Sequence, residues 1–211
     1  MALHRELLRT YLRVLLRPRE FFEETPAPSA IEGAFAVFFV ALTTMAAVVV
    51  LGLFLSALFR QQGYPRAAAA IPGAILRMAL FAVVGVAIVW VVSGAIMHFI
   101  TSLGRGGDSF GRTLGVTGYG MLPSIVNTVV GVVLVYITLQ SVDLQGGPEA
   151  VATQIGRLLE SGGPLRGLVN WGFLAWQAAI WTVGLREVHD TSWVNAAIAA
   201  AVVALGLGFF G

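Results

Sequence analysis

The chain has no cysteine. That excludes disulfides, thiolate metal sites and thiol nucleophiles in one step. It has no lysine either, so every non-histidine basic residue is an arginine, and with abundant Ala, Gly and Val this composition points to a GC-rich prokaryotic genome. Charge of both signs is scarce: 11% of 211 residues are charged and the formal net charge is +2. A balance so near zero gives no basis for nucleic acid as a partner. Carboxylates are missing from the centre of every long apolar run, where an ion path usually carries one.

What is present is apolar. Hydrophobic residues make up 57% of the chain, and the mean hydropathy is +0.84, more than a soluble domain of this size can hide. A helix needs about 20 apolar residues to cross the hydrocarbon core. Five runs qualify, at residues 34–59, 75–100, 113–138, 167–185 and 192–210. The expected fold is all-α: a polytopic membrane bundle of five transmembrane helices with an N-terminal amphipathic interfacial helix. Residues 1–24 form that arm, 25–33 a proline-containing hinge, and 34–211 the bundle. The arm is too long for a signal peptide and no small-residue cleavage site follows, so the first run is expected to be retained.

Arginines in the short flanks orient the bundle. With the N-terminus cytoplasmic, Arg5, Arg9, Arg13, Arg17, Arg19, Arg105, Arg112 and Arg186 lie inside, against Arg60, Arg66, Arg157 and Arg166 outside. The C-terminus then lies outside. In the arm, Leu3, Leu7, Leu8, Tyr11, Leu12, Leu15 and Leu16 share one helical stripe and Arg5, Arg9, Arg13 and Arg17 another. Such a helix is expected to lie on the membrane surface, its guanidiniums meeting anionic headgroups at about 1 kcal/mol each. Docking to a cytoplasmic protein or to the bundle is the alternative. Pro18 should end the helix. A second, outer interfacial helix is expected over 148–160, from Val151, Ile155, Leu158 and Leu159 at helical spacing between glycine pairs.

The loop "GRGGDSFGRTLG" leads into the third run. Its glycines allow a tight turn, and Asp108 or Ser109 can cap the next helix. It also resembles an anion cradle, but no GxxxxGK pattern exists and Asp108 repels phosphate. Farther on, Gly111 and Gly115 form a GxxxG pair, while Gly120, Pro123, Asn127 and Gly131 share a stripe that should be buried against protein. Pro123 frees a carbonyl near Tyr119, which then needs another donor.

Asn127 and Gln177 fall near mid-membrane, with Thr43 and Thr44 slightly off. An interhelical hydrogen-bond set is expected, at about 0.6 kcal/mol per bond. A polar constriction of a permeation path is the competing reading. At the inner rim His98, Arg105, Asp108, Arg112, Tyr119, Arg186, Glu187, His189 and Asp190 should gather. His98, Glu187 and His189 include metal-ligating types, but their spacing matches no metal signature, and the neighbouring arginines neutralise carboxylates by ion pairing. No metal or other cofactor is expected. Asp190, ahead of "TSW", resembles the N-cap of the fifth helix. Ser93 and Ser124 have no histidine at matching height, so no catalytic set is expected.

The order "RPREFF", "GGDSFGRTLGVTGYGMLP", "IWTVGLREVHDTSWVNAA" resembles the Yip domain family of Ypt-interacting membrane proteins across nearly the whole chain. The resemblance implies five membrane helices, a cytoplasmic N-terminus and a short far-side C-terminus. Eukaryotic relatives associate with prenylated Rab-type GTPases and with one another. This chain is expected to lack their long N-terminal region. If family motifs mark a working surface, it comprises Phe110, Arg112, Tyr119, Pro123, Arg186, Glu187 and His189. The expected function is a non-enzymatic adaptor or membrane-organising protein whose partners are the bilayer with its anionic headgroups, a cytoplasmic protein, or a second copy. A small channel or transporter using Thr43, Asn127 and Gln177 is the alternative.

Overall fold

The computed structural model describes residues 2–24, 28–103, 109–141, 146–161 and 163–210. Hinge residues 25–27 and loop residues 104–108, with Arg105 and Asp108, lie outside the described residues, as do the side chains of Arg5, Leu3, Leu7, Leu8, Leu158 and Leu159. All regular structure among the described residues is helical. The arm forms α1 (Ala2–Leu16) and α2 (Pro18–Glu24). Pro18 both ends α1 and opens α2, because a helix tolerates proline in its first turn, where no N–H is needed.

α3 (Ala30–Gln61) starts four residues earlier than the apolar run because Ser29 and Glu32 form a capping box. The Glu32 amide donates to the Ser29 hydroxyl at 3.3 Å, and the Ser29 amide donates to the Glu32 carboxylate at 2.7 Å. α4 (Pro65–Leu103) runs back alongside it, ten residues longer at the start than the expected crossing and with Pro72 inside. The third run is broken into α5 (Phe110–Gly120) and α6 (Pro123–Ser141). The carbonyls that Pro123 frees find donors. The Met121 and Leu122 amides reach Gly118 and Tyr119 at 3.1 Å, and the Trp181 indole reaches Thr117 at 3.1 Å. α7 (Pro148–Ser161), α8 (Gly163–His189) and α9 (Trp193–Phe210) complete the order.

α3, α4 and the α5–α6 pair are long and apolar enough to cross a membrane. Their outward faces carry Phe38, Leu53, Phe81, Val84, Ile88 and Val133, all exposed, which is stable only in an apolar medium. Two cores hold the bundle. One surrounds Met97, Val116, Leu122, Trp181 and Leu185 near the arm. The other, at the opposite end, packs Val151 and Ile155 of α7 on Phe59, Ala68 and Leu139.

The arm departs from the expected surface helix. Val14, Phe21 and Phe22 are buried in the first core, with Tyr11 and Leu15 packed against it, so the helix docks on the bundle. The leucine stripe divides, leaving Leu12 and Leu16 exposed. The exposed arginines are not bare. Arg9 pairs with Glu6 at 3.6 Å, Arg13 with Glu24 at 2.5 Å, Arg17 with Glu20 at 3.2 Å and Arg19 with Glu23 at 2.6 Å. Each such exposed pair contributes about 0–1 kcal/mol and exchanges readily for another partner.

Candidate functional site: the arm-end rim and a mid-span cavity

Three helices meet at the arm end over a single hydroxyl. Thr113 of α5 is fully buried. Its Oγ1 lies 3.1 Å from His98 Nδ1 of α4 and 2.9 Å from His189 Nε2 of α8. The two imidazole rings stand 5.9 Å apart, centre to centre, and Phe110 meets the His98 ring edge-on at 5.4 Å. A threonine hydroxyl has one proton, so it donates to one ring and accepts an N–H from the other. The sequence placed His98 and His189 at the rim but gave Thr113 no part. The bridge is readable only once three helices are in place.

The other rim residues separate. Arg186 pairs with Glu187 at 2.5 Å and lies 4.5 Å over the Trp193 ring, a cation–π contact. His98 Nδ1 and His189 Nε2 both address Thr113. Among the described residues no group of three His, Asp or Glu converges as metal ligands do. Tyr119 is buried, stacked obliquely on Phe21 at 5.2 Å and edge-on to Tyr11 at 6.3 Å. It is a floor for the arm rather than an exposed contact. Phe110 and Arg112 are exposed.

Asp190 is corrected. It occupies a left-handed turn at φ 45°, which aspartate tolerates better than most residues. The cap of α9 is Ser192, whose hydroxyl accepts from the Asn195 amide at 3.2 Å.

The arm closes over this rim. The Trp176 indole donates to the Leu15 carbonyl at 3.1 Å, and a Cβ on Gly184 would strike the Phe22 ring. Arg19 is held more firmly protonated than usual, first by its hydrogen bond and charge contact with Glu23, then by the charge of Glu187. Burial pushes the Tyr11 hydroxyl up from its ordinary value.

The mid-span residues form pairs. Asn127 Nδ2 donates to Asn170 Oδ1 at 3.1 Å, and Gln177 Nε2 to Ser124 Oγ at 2.7 Å. Thr43 and Thr44 instead donate to their own helix, at Phe39 and Val40. Thr43 takes no part in the set, since a threonine hydroxyl in a helix is within reach of the carbonyl four residues back. Asn127, Asn170, Ser124, Gln177 and Thr44 line a cavity of about 890 Å³. Asn170 was missed. It stands seven residues, two turns, before Gln177, and that spacing is the signal that could have found it.

The family model described as Yip1 domain matches residues 12–211. An uncharacterized protein of Methanocaldococcus jannaschii is 36% identical over 53 residues, 25% of this chain and 38% of that protein. No solved structure matches the chain.

Proposed function

The chain belongs to the Yip1 domain family of multi-pass membrane proteins, and on that premise we propose that it is a non-enzymatic membrane adaptor working at the face that carries its arm. In this reading α8 and α9 are the fourth and fifth crossings, the arm is cytoplasmic and the C-terminus lies across the membrane. The observation that carries the reading is the docking of the arm. Tyr11, Val14, Phe21 and Phe22 seat it on α3, α5 and α8, while Leu12, Leu16 and four arginines face outward. A headgroup or protein surface that engages that outer face loads the bundle directly. Five arginines against four glutamates leave residues 1–24 only weakly basic, so leucine burial must contribute as much as charge.

The test uses the cysteine-free chain in nanodiscs, labelled at Leu12→Cys with an environment-sensitive dye. Emission should shift to the blue in anionic nanodiscs relative to neutral ones, and Arg13→Gln should reduce the shift. Equal emission in both lipids removes anionic charge as what the arm recognises, and emission that stays red in both leaves a cytoplasmic protein as the partner.

A second reading, solute passage, is favoured by the shared cavity of Asn127 and Gln177. It is opposed by Thr43, which is committed to its own helix. A proteoliposome flux abolished by Asn127→Leu and Gln177→Leu would establish it.

A further inference from the structure

The cavity between α3–α4 and α6–α8 plays no part in the adaptor reading. Its wall carries six uncharged polar side chains, those of Thr44, Ser124, Asn127, Thr128, Asn170 and Gln177, among a larger number of aliphatic ones. Along α8 the lining runs from Arg166 to Gln177, eleven residues or about 16 Å of helix, roughly half the depth of a hydrocarbon core. Arg166 and Gly167, where that stripe begins, are exposed.

The glycines show where the bundle is shut. Toward the arm a Cβ has no room. On Gly33 it would strike the backbone of Leu114 and Gly115, on Gly118 the backbone of Gly33, and on Gly120 the Trp181 ring. On the cavity wall a Cβ on Gly85, Gly131 or Gly167 meets nothing within 4 Å, whereas beside it one on Gly52 would strike the Ile75 side chain and one on Gly208 the Trp171 ring. The seam toward the arm is therefore backbone-tight, while these cavity walls leave room between the helices. An acyl chain filling the hollow would leave the second donor or acceptor of each amide in hydrocarbon, which membrane proteins avoid. Water or a polar solute satisfies them.

We propose that this cavity is a hydrated, blind vestibule, open on the side opposite the arm, that takes up a small polar solute which is uncharged or anionic. Cations are excluded because, among the described residues, the lining holds no carboxylate to replace their hydration. The vestibule ends at the Gln177–Ser124 pair, and the tight seam below makes it a binding site instead of a through-path.

The absence of native cysteine makes the test direct. Gly131→Cys and Gly85→Cys place thiols on opposite walls where there is room for them, so both variants should fold. Val133→Cys lies on the same helix as residue 131 at nearly the same depth, but Val133 is 50% exposed on the outer face and does not line the cavity. Membrane-impermeant sulfonatoethyl methanethiosulfonate should modify both wall thiols at least tenfold faster than the Val133→Cys thiol, and only from the side opposite the arm. The cationic trimethylammonium reagent, corrected for its intrinsic rate, should be slower than the anionic one. Wall thiols no faster than the Val133→Cys thiol would mean the cavity is filled with lipid and would overturn the proposal. So would labelling from the arm side, and faster reaction with the cation would overturn the charge claim. None of these results bears on the arm.

Discussion

At the residue scale, the glycines decide which helices touch. Gly33 and Gly118 face each other backbone to backbone, where a single added methyl overlaps main chain and no rotamer change relieves it. Gly118→Ala should therefore destabilise the folded protein by about 1–3 kcal/mol, the usual cost of overpacking, whereas Gly131→Ala, with open space around it, should be neutral. Thermal midpoints in a single detergent would show this, and equal midpoints would mean that the α3–α5 seam is loose. The same scale shows what could be read in advance. The GxxxG spacing of Gly111 and Gly115 announced a close approach, and Gly115 does abut the Pro28 and Ser29 backbone. Its partner could not be read, because Gly33 has no second glycine at helical spacing on α3, and the Ser29–Glu32 capping pattern marks where a helix starts without saying what it packs against. A second residue-scale prediction concerns the bridge. Thr113→Val removes the hydroxyl between His98 and His189 and should cost about 1–3 kcal/mol for stranding buried polar groups, while Thr113→Ser should recover most of it.

At the element scale the arm is the instructive case. Its helical period was plain from leucines and arginines, and α1 is a helix. The face it buries was not plain, since a stripe of leucines suits lipid and protein equally. Only the groove over Tyr119 and Trp176 selects Tyr11, Val14 and Leu15. Docking is also sensitive to pH. Burial raises the Tyr11 hydroxyl above its ordinary value, so the docked state favours the neutral phenol. Below the free value of about 10 both states are protonated and the arm's contribution is complete. As pH rises from there through the raised docked value, the undocked arm loses its proton first and stability falls. From about pH 10 upward the thermal midpoint should decline, and Tyr11→Phe should lose less over that range than the unaltered protein. Parallel declines in the two would assign the alkaline loss to other groups.

At the scale of the whole molecule the question is how many times the chain crosses. Composition alone announced a helical membrane bundle, and three long apolar spans bear it out. α8 and α9 were harder to place because α8 mixes Arg166, Asn170, Gln177, Arg186 and Glu187 into its length. Those residues now have reasons to be there: the first three line the cavity and the last two pair at the rim. α8 has 27 residues, about 40 Å at 1.5 Å each, which exceeds the roughly 30 Å of hydrocarbon to be crossed. α9 has 18, about 27 Å on the same count and enough for a thin or locally matched bilayer. On the proposed reading both helices cross, which makes the number of crossings odd and puts Arg9, Ser102 and Asp190 on one surface and Gln62, Thr153 and the C-terminal end on the other. Single cysteines at Arg9, Ser102, Asp190, Gln62 and Thr153, and one appended after Gly211, should react with an impermeant maleimide from these two sides in that division. If the appended cysteine reacts with the Arg9→Cys set, either α8 or α9 does not cross. The side on which the Asp190→Cys thiol appears then says which, because the turn at Asp190 is the only link between them.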